Sequence, residues 1–147
     1  GASYPLHEIP KMSPAEALQF RMPIMDTRRD QTWQDANPDD VQAIITDGLA
    51  LQEIGAGEPG RELGAQGQLA ARADHDTWDS IDQIDVPTLV CGGKYDGQAA
   101  PDVVQTLADK IPGAQLEWFE GGHMFLAQDK AAYPAIISFL QADGADA

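Results

Sequence analysis

Two short glycine-framed segments carry the residues with the most chemical potential. Asp96 stands in Gly92-Gly93-Lys94-Tyr95-Asp96-Gly97, and His123 in Glu120-Gly121-Gly122-His123-Met124. A carboxylate beside an imidazole is the orienting half of a nucleophilic relay. The acid fixes the tautomer and steadies the imidazolium, while the histidine takes a proton from the nucleophile and returns it to the leaving group. The glycines allow tight turns that aim a side chain without a Cβ clash. Other reactive types are weaker candidates. Cys91 sits inside an apolar run, which suits a buried thiol better than a nucleophile. His75 lies between Asp74 and Asp76 with no further His or Cys at ligand spacing, so it reads as a solvated helix end and no metal site is expected.

Elements must bring Asp96 and His123 together. Pro87-Thr88-Leu89-Val90-Cys91-Gly92-Gly93 is a short apolar run of strand formers closed by glycines, and apolarity on both faces suggests a buried parallel strand. A helix follows from Pro101 to Ile111 with Val104, Leu107, Ala108 and Ile111 facing inward, stopped by Pro112-Gly113. Gln115 to Phe119 is a second strand, and Ala131 to Leu140 a closing helix that buries Ala132, Ile136, Phe139 and Leu140. A strand–helix–strand unit of this length makes a right-handed crossover with parallel strands. Asp96 and His123 then lie just beyond the C-terminal ends of neighbouring strands, where open α/β sheets bind ligands.

Residues 1–86 have a different character, reading as helices and loops. Ser13-Pro14-Ala15-Glu16 is a capping box that starts a helix towards Met22, interrupted by Pro23. Asn37-Pro38-Asp39-Asp40 starts another, capped by Asn37, with Val41, Ile44, Ile45 and Leu49 on one face and Gly55 and Gly57 ending it. A third spans Arg61 to Ala73, with Leu63, Gln66, Leu69 and Ala70 on one side, and Thr77 to Ile84 is a last short helix or turn. Met12, Met22 and Met25 with Phe20 either line an apolar pocket or pack helices. His7 reads as a surface residue, and residues 142–147 as a small, acidic, fraying tail. Two parallel strands make a poor sheet, and no third strand is evident. Either further strands come from another polypeptide, or copies of this chain pair with each other, or the helical half covers a very small sheet; the first is the most natural reading.

Four elements in order carry a resemblance. The run from Val86 to Asp96 resembles the strand and acid loop of α/β-hydrolases. Ile111-Pro112-Gly113-Ala114-Gln115-Leu116 followed by Gly121-Gly122-His123 resembles their last strand and histidine loop. The closing Ile137-Ser138-Phe139-Leu140 also fits, as does Gln68-Leu69-Ala70-Ala71-Arg72 with His75-Asp76 before the acid strand. The match is good over residues 60–141 and loose over 1–59. The resemblance implies a partial α/β-hydrolase fold: a helical lid over residues 1–86, then a β-α-β-α part of the core over 87–141. It implies Asp96 as triad acid, His123 as triad base, and hydrolysis of a small apolar ester or lactone without a cofactor. Tyr95 and Met124 are candidates for substrate contact, and Met124 and Phe125 for packing that fixes the histidine loop. In that family the nucleophile occupies a Gly-x-Ser-x-Gly elbow upstream of the lid. The serines here, at 3, 13, 80 and 138, all lack that elbow. The nucleophile and oxyanion loop are therefore expected from a companion chain or a missing segment. The rival expectation is a non-catalytic truncated fold that binds or self-associates through its open strand edge.

Composition excludes other classes. Asp and Glu number 24 against 9 Lys and Arg, for a net charge of −15. Nucleic acid and anionic membrane surfaces both demand the opposite sign. One cysteine forbids an internal disulfide, and the start of the chain lacks the basic and apolar regions of a signal peptide, so a cytoplasmic setting is expected.

Overall fold

The computed structural model of the chain describes residues 11–73 and 75–143. His7, Ser3, Asp74 and residues 144–147 of the expected tail lie outside them. The fold is mixed: helices α1 (Pro14–Met25), α2 (Gln31–Ala36), α3 (Pro38–Glu53) and α4 (Arg61–Ala73), a 3₁₀ helix (Trp78–Gln83), then strand β1 (Leu89–Gly93), α5 (Pro101–Lys110), β2 (Gln115–Phe119), α6 (Phe125–Gln128) and α7 (Ala132–Asp143). It is compatible with part of an α/β fold.

The capping box forms as the sequence specifies. Ser13 Oγ accepts from the Glu16 N–H at 3.3 Å, and Glu16 Oε2 accepts from the Ser13 N–H at 2.7 Å. However, α1 does not stop at Pro23 but runs on to Met25. An interior proline costs roughly 3 kcal/mol, while burying Met22 and Ile24 returns roughly 1.5–3 kcal/mol each. Both side chains are buried, and the Asp26 N–H closes the last turn on Met22 O at 2.9 Å. Helix α2 was not expected; Asp30 caps it by accepting from the Trp33 N–H at 2.9 Å. Asn37 does not cap α3 through its side chain. Its Nδ2 donates instead to Trp33 O at 2.7 Å, finishing α2. Met22, Val41 and Ile45 form one core, with Leu18, Trp33 and Ile44 packed against it. Leu63 and Leu69 on α4 are exposed.

The second core lies under the sheet. β1 pairs with β2 in parallel, Leu89 opposite Gln115 through Gly93 opposite Phe119. α5 covers one face, where Val90, Val104, Ala108 and Ile111 are buried with Leu116 and Trp118 against them. The expectation that both faces of β1 are buried is corrected, because Leu89 and Cys91 on the other face are only half-buried. Gln115 and Glu117 beside them are exposed, so that face lacks a covering layer among the described residues. On α7, Ala132 is fully buried and Ile136 and Phe139 are half-buried. Leu140 is 65% exposed, contrary to expectation. The helix also extends to Asp143, so residues 142 and 143 are helical rather than tail.

Candidate functional site

The β1–β2 ladder continues past the strands and joins their loops. The Lys94 N–H donates to Phe119 O at 3.0 Å and the Tyr95 N–H to Gly121 O at 2.9 Å. This stitching leaves the next side chains of each loop side by side, and it demands glycine. A Cβ on Gly93 would sit 2.2 Å from Gly122 O, and Gly121 has φ +136°.

Asp96 and His123 meet at the end of this ladder. His123 Nδ1 lies 2.9 Å from Asp96 Oδ2. The Asp96 side chain is 5% exposed and that of His123 34%, so the acid is enclosed and the ring is open to approach. Asp96 Oδ1 accepts from the Gln98 N–H at 2.7 Å and the Ala99 N–H at 2.9 Å. The carboxylate is thus fixed on one oxygen and free to orient the imidazole with the other. On the far side of the ring, His123 Nε2 is 3.1 Å from the Gln98 amide nitrogen.

A second group of residues, which sequence reasoning missed, holds the histidine loop from the helical side. The His123 N–H donates to Met25 O at 2.6 Å, and the Thr27 N–H donates to Tyr95 O at 2.9 Å. Asp26 is 2% exposed. Its Oδ1 accepts from Arg28 Nε at 2.9 Å, and its Oδ2 from Arg28 Nη2 at 2.6 Å and from Gln128 Nε2 at 3.2 Å. Gln128 Oε1 in turn accepts from the Gly122 N–H at 2.7 Å, the residue beside His123. Hydrogen bonding to Arg28 holds the Asp26 carboxyl below its ordinary range, against the opposing effect of burial. In sequence, Asp26-Thr27-Arg28-Arg29-Asp30 reads as a solvated charge cluster, and nothing in it marks Asp26 as buried.

The other sequence candidates separate clearly. Tyr95 is half-buried with the Arg28 guanidinium 4.2 Å above its ring, so one face of it is already occupied. Met124 is 56% exposed beside His123, which corrects its assignment to packing; Phe125 does pack, stacked on Phe119 at 5.4 Å. Met12 and Phe20 border an open groove of about 630 Å³ with Pro23 and Ile24, whereas Met22 belongs to the core and Met25 contributes its carbonyl to the His123 loop. A larger depression of about 810 Å³ lies around Gly57–Gln66 and shares no residue with the Asp96–His123 pair. Burial pushes the Cys91 thiol up, as does nearby Glu117, which disfavours a thiolate nucleophile. Ser13 is a helix cap, Ser80 Oγ donates to Thr77 O, and Ser138 is exposed on α7. His75 is exposed, and the described residues contain no group of three or more His, Cys, Asp or Glu arranged to hold a metal ion. No described helix is long and apolar enough to cross a membrane.

No family model matches the chain. Over 94 residues it is 34% identical to a poly(3-hydroxyalkanoate) depolymerase of Ectopseudomonas oleovorans, a match that takes in 63% of this chain and 33% of the depolymerase. The matched stretch thus spans about a third of that curated relative's length. This partial likeness, together with the mixed fold and its two parallel strands, supports a hydrolase-like relationship.

Proposed function

We propose that this chain supplies the acid–base half of an α/β-hydrolase-type site that cleaves carboxylic esters or lactones. The observation that carries the reading is the 2.9 Å contact between Asp96 Oδ2 and His123 Nδ1 at the C-terminal ends of adjacent parallel strands. Asp96 holds the ring with its proton on Nδ1, so the Nε2 lone pair takes the proton of a nucleophilic hydroxyl and delivers it to the leaving alkoxide. Asp96 then faces the imidazolium. The likeness to a depolymerase supports ester chemistry in coarse terms; the substrate class proposed for this chain is a small apolar ester or lactone. The region before β1 acts as a lid, and Met124, exposed beside His123, contacts the substrate.

The nucleophile and oxyanion donors come from a segment outside this sequence or from a companion chain. β1 is hydrogen-bonded to β2 along one edge, and a further strand at its other edge completes the ladder. That open edge also supports a second reading, self-association without catalysis. Fluorophosphonate labelling separates the two. The natural protein that contains this sequence takes up one label on a serine outside it, and His123→Ala abolishes the labelling. Stoichiometric label on Ser3, Ser13, Ser80 or Ser138 would refute the assignment, as would labelling that survives the loss of His123.

A further inference from the structure

Asp96 and Gln98 together close both nitrogens of His123. Among the described residues, the group within hydrogen-bond distance of Nε2 is the Gln98 amide nitrogen, at 3.1 Å. A carboxylate only accepts, so the ring hydrogen facing Asp96 belongs to Nδ1, and a neutral imidazole then carries its lone pair on Nε2. An amide NH₂ donates to that lone pair, and the two contacts select the same tautomer. Gln98 is itself placed by the same acid, because its backbone N–H donates to Asp96 Oδ1 at 2.7 Å. One carboxylate therefore anchors the residue that caps the far side of the ring it orients.

We propose that Gln98 is a positioning residue whose amide stands where the nucleophile's hydroxyl must donate, capping the Nε2 lone pair of an imidazole whose tautomer Asp96 sets, until the nucleophile displaces it. The proposal rests on the acid–base reading of Asp96 and His123. The Nε2 lone pair lies in the ring plane and accommodates one good donor, so a hydroxyl and the Gln98 amide compete for it. Gln98 is exposed, so its side chain has solvent to turn into when displaced. Breaking one such bond is a small cost, so the cap holds the ring without locking it.

The test uses the 147-residue chain with its histidine rings labelled with ¹⁵N. Ring spectra report the tautomer, and diethyl pyrocarbonate with peptide mapping reports how readily Nε2 is acylated. His75, exposed on the same chain, is the internal control. Gln98→Ala removes the cap and any shielding, whereas Gln98→Met keeps the bulk and removes only the donor. The expected result is Nδ1–H in all three proteins and acylation of His123 about fivefold faster in both variants, with His75 unchanged. Fivefold corresponds to a net hydrogen bond of about 1 kcal/mol at tenfold per 1.4 kcal/mol. An unchanged His123 rate in both variants, or a rise in Gln98→Ala alone, would overturn the role of the Gln98 amide and leave the acid–base pair standing. An Nε2–H ring in the unaltered chain would instead overturn the acid–base reading itself.

Discussion

Replacing Gly122 with alanine tests whether the helical segment is locked onto the histidine loop. A Cβ there would lie 2.1 Å from Met25 O and 2.8 Å from Asp26 Cα. Both are backbone atoms, so no side chain can swing aside; the seam must open by about 1 Å. Forcing a methyl group into such packing costs about 1–3 kcal/mol. Opening the seam also weakens the His123 N–H to Met25 O bond, adding about 1 kcal/mol. The predicted loss in unfolding free energy for Gly122→Ala is therefore about 2–4 kcal/mol, measured by urea denaturation, with faster amide exchange at His123. Gly64→Ala is the control. It lies inside α4 with nothing within 4 Å of the added methyl, so it should stabilise by about 0.5–1 kcal/mol. The same chemical change then has opposite signs at two positions. Gly122→Ala within about 0.5 kcal/mol of the parent, with His123 still protected, would refute the seam.

Asp26→Asn should cost about 1–2 kcal/mol near neutral pH, between a surface and a buried pair because Arg28 is half-exposed. The folded-state pKa of Asp26 is depressed, so the stabilisation is full above the ordinary carboxylate range and lost as pH falls through the folded value. Urea titrations should show parent and variant converging in acid, and a gap that widens as pH falls would contradict this. Cys91, with its thiol pushed up by burial, should alkylate with iodoacetamide more slowly at pH 8 than glutathione does; equal rates would show that the thiol is not desolvated. Light scattering of the isolated chain should find species larger than a 15.8 kDa monomer, because β1 seeks a second strand. A monodisperse monomer with slow amide exchange at both Val90 and Cys91 would contradict that.

What the sequence revealed and what it hid divide along local and tertiary lines. The Ser13–Glu16 box, Pro101 at the start of α5 and the Gln115–Phe119 strand depend on neighbours in sequence, and each is legible there. The meeting of Asp96 and His123 follows from parallel pairing of the strands that precede them. The run of α1 through Pro23 depends on what Met22 and Ile24 bury, which lies elsewhere in the chain. Asn37 matches the local capping pattern, yet its side chain donates to Trp33 O and leaves α3 without a side-chain cap. Leu140 fits the apolar spacing of α7, yet the described residues offer it no surface to bury against. The Asp26–Gln128–Gly122 chain joins positions about a hundred residues apart, a coupling with no signature in either local stretch.

In the proposed ester cleavage Asp96 and His123 act as one unit, and a double-mutant cycle on kcat/KM isolates that coupling. The natural protein containing this sequence would be assayed on a short-chain p-nitrophenyl ester as parent, Asp96→Asn, His123→Ala and the double variant. Loss of a relay member costs on the order of 10⁴-fold or more, and members of one relay do not add. The double variant is expected to be no slower than His123→Ala alone. Single losses below about tenfold, or losses that multiply in the double variant, would contradict it.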